Sequence, residues 1–176
     1  MKFYVIRHGE TEMNGSGHIT GQLDIPLTEK GKLQVAEAVQ GLPADIAAIY
    51  SSDLIRTKQT TEILNRSLGL PVTYDARLRE RSFGSLEGTE WTSFDPVLYE
   101  KDQQQEFDYR PYGGESAEDF RNRISACLKD IAEMSKGKPV LIVAHGGVIR
   151  LLRHLRDHTA GEAITNGSVH EFEFAL

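Results

Sequence analysis

The sequence is poor in the features that mark several large protein classes. It holds one cysteine, Cys127, among 176 residues, which excludes an internal disulfide framework and any zinc cluster built on cysteines. No apolar run approaches the roughly 20 residues that a helix needs to cross a bilayer; Val140 to Ala144 is typical of the longest. Internal repeats, low-complexity tracts and long linkers are missing too. So is an excess of positive charge: 26 acidic against 20 basic residues leave a net charge of −6. That balance disfavours a nucleic-acid groove, whose non-specific affinity comes from a basic surface. It does not disfavour a small anionic ligand, because a few converging arginines set the field of a cleft whatever the total charge. The short run Phe3 to Ile6 ends in Arg7 and does not read as a signal peptide. A cytoplasmic protein with neither membrane nor nucleic-acid partner is expected.

What is present is ordinary for a globular chain, with 39% hydrophobic and 26% charged residues. At this length one domain over residues 1–176 is expected, burying roughly 70% of the surface that the unfolded chain exposes. Apolar β-rich runs alternate with helical patterns, which predicts an α/β fold with a mostly parallel sheet. Strands are predicted at Phe3–Ile6, Ile46–Tyr50, Val72–Tyr74 and Val140–Ala144, with an edge strand at Val169–Phe174. Thr28 reads as an N-cap before a stripe of Val35, Val39 and Leu42. Ser52 or Asp53 reads as the cap of a helix that runs to Leu68 and stops at Gly69-Leu70-Pro71. Ser116 to Asp119 resembles a capping box ahead of Phe120, Ile124, Cys127 or Leu128, and Ile131. Val148 to Leu155 reads as the next helix. Between Glu80 and Glu115 no period emerges, and this stretch is predicted to be a loop-rich, lid-like excursion.

Two segments share a pattern. Tyr4-Val5-Ile6-Arg7-His8-Gly9 and Leu141-Ile142-Val143-Ala144-His145-Gly146 each read as a buried strand ending in His-Gly. Ligands of open α/β sheets gather outside the carboxyl ends of strands, and glycine lets backbone approach a ligand closely. Either histidine alone could simply terminate its strand; the pair, with Arg7 beside it, makes a candidate phosphate site.

Arg7-His8-Gly9-Glu10-Thr11, with Asn14, resembles the signature of the histidine phosphatase superfamily, also called phosphoglycerate mutase-like. Further blocks resemble that family in the same order: Thr20 to Asp24, Pro26 to Gly31, Ser51 to Thr60, Leu78-Arg79-Glu80, Phe83-Gly84, Leu86-Glu87-Gly88 and Ala144 to Gly147. The resemblance implies a three-layer α/β/α fold and a set of roles. His8 would be the nucleophile, one ring nitrogen attacking phosphorus while the other donates to a backbone carbonyl. Arg7, Arg56 and His145 would hold the non-bridging oxygens, with His145 protonated beside the dianion. Asn14, Thr20 and the backbone of Gly21 and Gly146 would add neutral hydrogen bonds, although turn chemistry alone could select Asn14 and Thr20. Glu80 would be the general acid and base, with Glu87 and Glu90 as nearby solvated charges. No metal and no cofactor is implied.

The family holds hydrolases and mutases. Mutases typically carry a longer insertion and an Asn-Lys pair after the Gly-Leu of the acid loop. Here Leu86-Glu87-Gly88 runs on into Thr89-Glu90-Trp91, which resembles the phosphatase branch. The segment from Pro111 to Ser116, with Phe120 and Arg123, is similar to α-ribazole phosphatases. The expectation is a phosphatase acting on a small phosphorylated metabolite. Arg81 stands where mutases have a substrate-binding arginine, which keeps a cofactor-dependent phosphoglycerate mutase as the alternative. A non-catalytic phosphate-binding module is the third reading. Tyr99, Phe107, Tyr109, Arg110 and Tyr112 are the residues expected to select the leaving alcohol, by stacking where it carries a ring. His154 and His158 have the spacing of a metal pair, but they lack the glutamate of a His-Glu-x-x-His motif and read as a solvated face. Cys127 reads as core, His170 as structural, and His18 carries no assignment.

Overall fold

The computed structural model describes residues 1–157 and 163–174. Its strands are β1 (Lys2–Arg7), β2 (Ile49–Ser51), β3 (Val72–Tyr74), β4 (Val140–Ala144) and β5 (Val169–Glu173). Its helices are α1 (Glu12–Ser16), α2 (Glu29–Ala38), α3 (Ile55–Leu68), α4 (Pro96–Gln103), α5 (Ala117–Met134) and α6 (Gly146–Asp157). The strands form one sheet in the order β3-β2-β4-β1-β5. Every neighbouring pair is parallel except β1 and β5, so β5 closes one edge in the opposite sense.

Side-chain alternation along a strand sends successive residues to opposite faces, and both faces here are apolar. Phe3 and Val5 of β1 pack with Phe120, Ile124 and Ile131 of α5 and Val148 and Leu152 of α6. Tyr4 and Ile6 face the other way, onto Val35 of α2 and Leu64 of α3. The result is a three-layer α/β/α sandwich. The central strands read as continuous apolar runs because neither face meets water: all five residues of β4 are fully buried.

The local signals explain most boundaries. Thr28 caps α2 by accepting from Gly31 N at 3.0 Å, and Ser116 with Asp119 forms the full capping box of α5. Gly69 ends α3 in the left-handed conformation, φ 62°. Three predictions need correcting. The stripe after Thr28 stops short: α2 ends at Ala38, Val39 lies in a tight turn and Leu42 is already extended. The second strand begins at Ile49 rather than Ile46, and Ile46 is used as core instead. The N-cap of α3 is Leu54, with no side-chain bond. Ser52 and Asp53 do not cap it because both are committed elsewhere, Ser52 to His145 and Asp53 to Arg79.

The excursion over residues 80–115 is more ordered than its sequence suggests. Asp95 caps α4 through Val97 N at 2.7 Å, and Pro96 occupies the first turn. Phe83, Trp91, Phe94, Tyr99 and Tyr109 form a chain of aromatic contacts with centroids 4.8–6.0 Å apart. Arg123 of α5 ties its start to the body, donating to the carbonyls of Arg77, Arg79 and Glu80 while paired with Glu115.

Candidate active site

The register of the sheet brings the two His-Gly segments together. Arg7 at the end of β1 lies opposite Ala144 at the end of β4, so His8 and His145 emerge side by side. His8 N donates to Ala144 O at 3.1 Å, and the two rings meet edge to face with centroids 5.2 Å apart. This is the carboxyl end of the parallel strands, and a cavity of about 390 Å³ opens there. Of the residues singled out from sequence, Arg7, His8, Asn14, Thr20, Gly21, Arg56, Glu80, Arg81 and Gly146 line it. His145 is wholly buried and lies one layer deeper, against the His8 ring.

His8 Nδ1 lies 2.7 Å from Gly9 O. A carbonyl only accepts, so Nδ1 carries the proton and Nε2 keeps its lone pair. Burial, then the charges of Arg56 and Arg7, hold the His8 pKa well below the ordinary histidine value. The ring is therefore neutral at physiological pH. His145 is neutral as well in the protein alone, chiefly through burial, with the charges of Arg56 and Arg7 adding to it. The protonated His145 expected from sequence needs an anion beside it to offset that burial. Its Nε2 lies 2.9 Å from Ser52 Oγ, and its Nδ1 has no partner.

Arg56 is buried, and its two terminal nitrogens donate to Leu23 O and Gly21 O, both at 2.6 Å. Gly21 thus holds the arginine through its carbonyl. Burial lowers Arg56 to about 10 and lowers Arg7 too, yet both remain cationic at neutral pH. Neither forms an ion pair among the described residues. Arg7 Nε, Arg56 Nε, Thr20 Oγ1 and His145 Nδ1 are all buried without a hydrogen-bond partner. A buried polar atom left unpaired costs about 1–3 kcal/mol. Four gathered with two unpaired cations define a place built for an acceptor anion.

Glu80 stands across the cavity. Its Oε1 accepts from Arg81 N and its Oε2 from Gly147 N, both at 2.9 Å, which places the carboxylate at the start of α6, where the helix dipole favours negative charge. Glycine at 147 lets the carboxylate come this close, since a Cβ there would stand 2.0 Å from Glu80 Oε1 and push it away. Asn14 Oδ1 accepts from Thr11 N at 3.2 Å and Asn166 Nδ2 at 3.3 Å, which turns the Asn14 amide nitrogen to the cavity side. Glu87 is structural rather than solvated: it accepts from Gln22 N and Phe83 N at 3.1 and 3.0 Å.

Of the five residues expected to select the alcohol, only Tyr99 lines the cavity. Phe107 and Tyr109 are buried in the core of the excursion, and Arg110 is exposed and paired with Asp108. Tyr112 is 40% exposed and lies away from the cavity. Sequence reasoning misses Trp91, Gln103, Arg150 and Ile164, which do line it, and leaves His18, which also lines it, unassigned. Arg150 has a readable signal: it follows Gly147 by three residues on a helix, so the two share a face. Asn166, whose Nδ2 also reaches His8 O at 3.1 Å, has only the Asn-Gly turn dipeptide to announce it. Cys127 and His170 are structural as expected, Cys127 fully buried and His170 bonded to Ser168 and Arg153. The His154–His158 pair extends beyond the described residues at His158. Among the described residues no group of three or more His, Cys, Asp and Glu side chains could hold a metal, and no helix is long and apolar enough to cross a membrane.

The site joins two adjacent His-Gly strand ends, two buried arginines and a glutamate on one cavity, and residues 3–175 match the histidine phosphatase superfamily, branch 1. The chain belongs to that superfamily. It is similar to the probable phosphoglycerate mutase GpmB of Salmonella paratyphi A, with 38% identity over 154 residues, 83% of this chain and 70% of that one. Among solved structures, it is similar to YhfR of Bacillus stearothermophilus, with a TM-score of 0.87 and 32% identity over 99% of this chain and 91% of that one. A phosphoglycerate mutase from Thermus thermophilus gives a TM-score of 0.81 and 33% identity over 99% and 94%.

Proposed function

We propose that this protein is a metal-independent phosphatase that hydrolyses a small phosphomonoester through a phosphohistidine on His8. The observation that carries the reading is a neutral His8 with Nδ1 tied to Gly9 O, set among unpaired buried cations and facing Glu80. The His8 Nε2 lone pair forms a bond to phosphorus as the P–O bond to the leaving alcohol breaks. The protonated carboxyl of Glu80 gives its proton to the departing oxygen. The ring acquires positive charge, which the Gly9 carbonyl stabilises through Nδ1–H. Arg7 and Arg56 balance the phosphoryl oxygens, and His145, protonated beside them, supplies a further donor. Water then attacks phosphorus, its proton passes to the Glu80 carboxylate, and the P–N bond breaks. Inorganic phosphate leaves, and His8 is neutral again.

A mutase is the second reading, favoured by the names of the relatives and by Arg81 on the cavity wall. A panel of metabolite phosphates, assayed for inorganic phosphate release alongside phosphoglycerate isomerisation, separates the two. Phosphate release abolished by His8→Ala supports hydrolysis; isomerisation without release replaces it by the mutase.

A further inference from the structure

The two ends of the cavity differ in charge. At the His8 end Arg7 and Arg56 form no ion pair among the described residues, and Glu80 is the carboxylate that acts on both from a distance. At the other end Arg81 and Arg150 line the wall, and a carboxylate stands behind them. Asp102, on α4, is fully buried, and its Oδ2 takes Arg81 Nη2 at 2.9 Å and lies 3.7 Å from Arg150 Nη1. Its Oδ1 accepts from the Tyr109 hydroxyl at 2.7 Å, and Gln103 Nε2 adds a fourth contact at 3.2 Å. Arg81 is clamped further between the rings of Phe83 and Phe107, each centroid 5.0 Å from its Cζ. Its Nε and Nη1 have no partner but are buried. Arg150 feels Glu80 as well as Asp102. Asp102 thus sits between the two guanidiniums and offsets part of their charge where the leaving group would sit.

We infer that Asp102 is a specificity-determining residue: by drawing Arg81 and Arg150 onto its own carboxylate and offsetting part of their charge, it selects phosphomonoesters of uncharged alcohols over those whose alcohol carries a carboxylate. Asp102 does not line the cavity and acts through the two arginines, so it is a positioning residue. Burying a carboxylate is expensive unless it is paired, and four partners make this one a fixed part of α4. The inference rests on the phosphatase reading for its substrate but predicts binding independently of turnover.

Glycerol 3-phosphate and 3-phosphoglycerate are a matched pair, differing at one end as hydroxymethyl and carboxylate. Their dissociation constants are measured by calorimetry in the turnover-silent His8→Ala protein, with and without Asp102→Asn. The parent is expected to bind glycerol 3-phosphate more tightly, and D102N to shift the ratio at least tenfold towards 3-phosphoglycerate. Arg150→Gln, at a partly exposed position, is expected to shift it in the opposite direction and decides the matter if D102N does not fold. A parent that prefers 3-phosphoglycerate, or a ratio that neither variant moves, overturns the inference. Hydrolysis of the same two esters by the wild-type protein reads the phosphatase proposal separately.

Discussion

Gly147→Ala tests the position of Glu80 without touching its carboxylate. The new Cβ would stand 2.0 Å from Oε1 and 2.9 Å from Cδ. Real Cβ contacts stay above 3.0 Å, so the carboxylate must retreat by about 1 Å. It then leaves the Gly147 and Arg81 amides that now hold it at 2.9 Å. A displacement of about 1 Å at a reacting group costs on the order of 10²-fold in rate. Stability should change little, because replacing glycine by alanine in a helix gains up to about 1 kcal/mol and offsets much of the two lost bonds. The assay compares an alkyl phosphate, whose alkoxide needs a proton to leave, with p-nitrophenyl phosphate, whose leaving group needs little help. The expected result is an alkyl turnover down about 10²-fold and a nitrophenolate burst that survives, with the melting temperature nearly unmoved. Equal losses on both esters, or full alkyl activity, would refute Glu80 as the proton donor held by this geometry.

Other perturbations give equally definite expectations. Both His8 and His145 have lowered pKa values, so the unfolded chain takes up protons below about pH 6.5 that the folded chain refuses. Stability is therefore fully present above that pH and is lost as pH falls, by about 1.4 kcal/mol per unit for each histidine; urea midpoints at pH 7.5 and 5.5 check it, and His8→Asn should shrink the slope. Ser52→Ala removes the hydroxyl at 2.9 Å from His145 Nε2 and should cost about 1 kcal/mol of stability, with a roughly tenfold lower kcat if His145 is held in place by it. Arg123→Ala frees the carbonyls of Arg77, Arg79 and Glu80 and leaves Glu115 without its ion-pair partner, holding only Ser82 N; a loss of about 2–3 kcal/mol in denaturant unfolding is expected. EDTA should leave phosphate release intact, and a strict need for added metal would contradict the mechanism.

The sheet is legible because its strands are buried on both faces and read as continuous apolar runs. The two His-Gly termini are legible for the same reason, since a strand that ends at a crevice exposes the next residue to it. Ser52 reads wrongly as a cap because a hydroxyl before a helix serves either purpose, and only the tertiary partner, His145, decides. The helix α4 carries a start signal, Asp95-Pro96, but too weak an apolar stripe to announce the rest. Phe107 and Tyr109 look like substrate contacts because aromatics in an irregular stretch can face either way; here the excursion needs them as its own core. Arg150 and Asp102 are invisible as a pair, since their meeting depends on how α4 lies over α6.

The central claim is that phosphorus passes through His8. Protein mixed with an excess of an accepted phosphomonoester and quenched in alkali should carry one phosphoryl group, stable to base and labile to acid, on the peptide containing His8. The label should be absent from His8→Ala. Steady hydrolysis with no phosphohistidine in rapid-quench samples, or turnover that survives His8→Ala, would contradict the account.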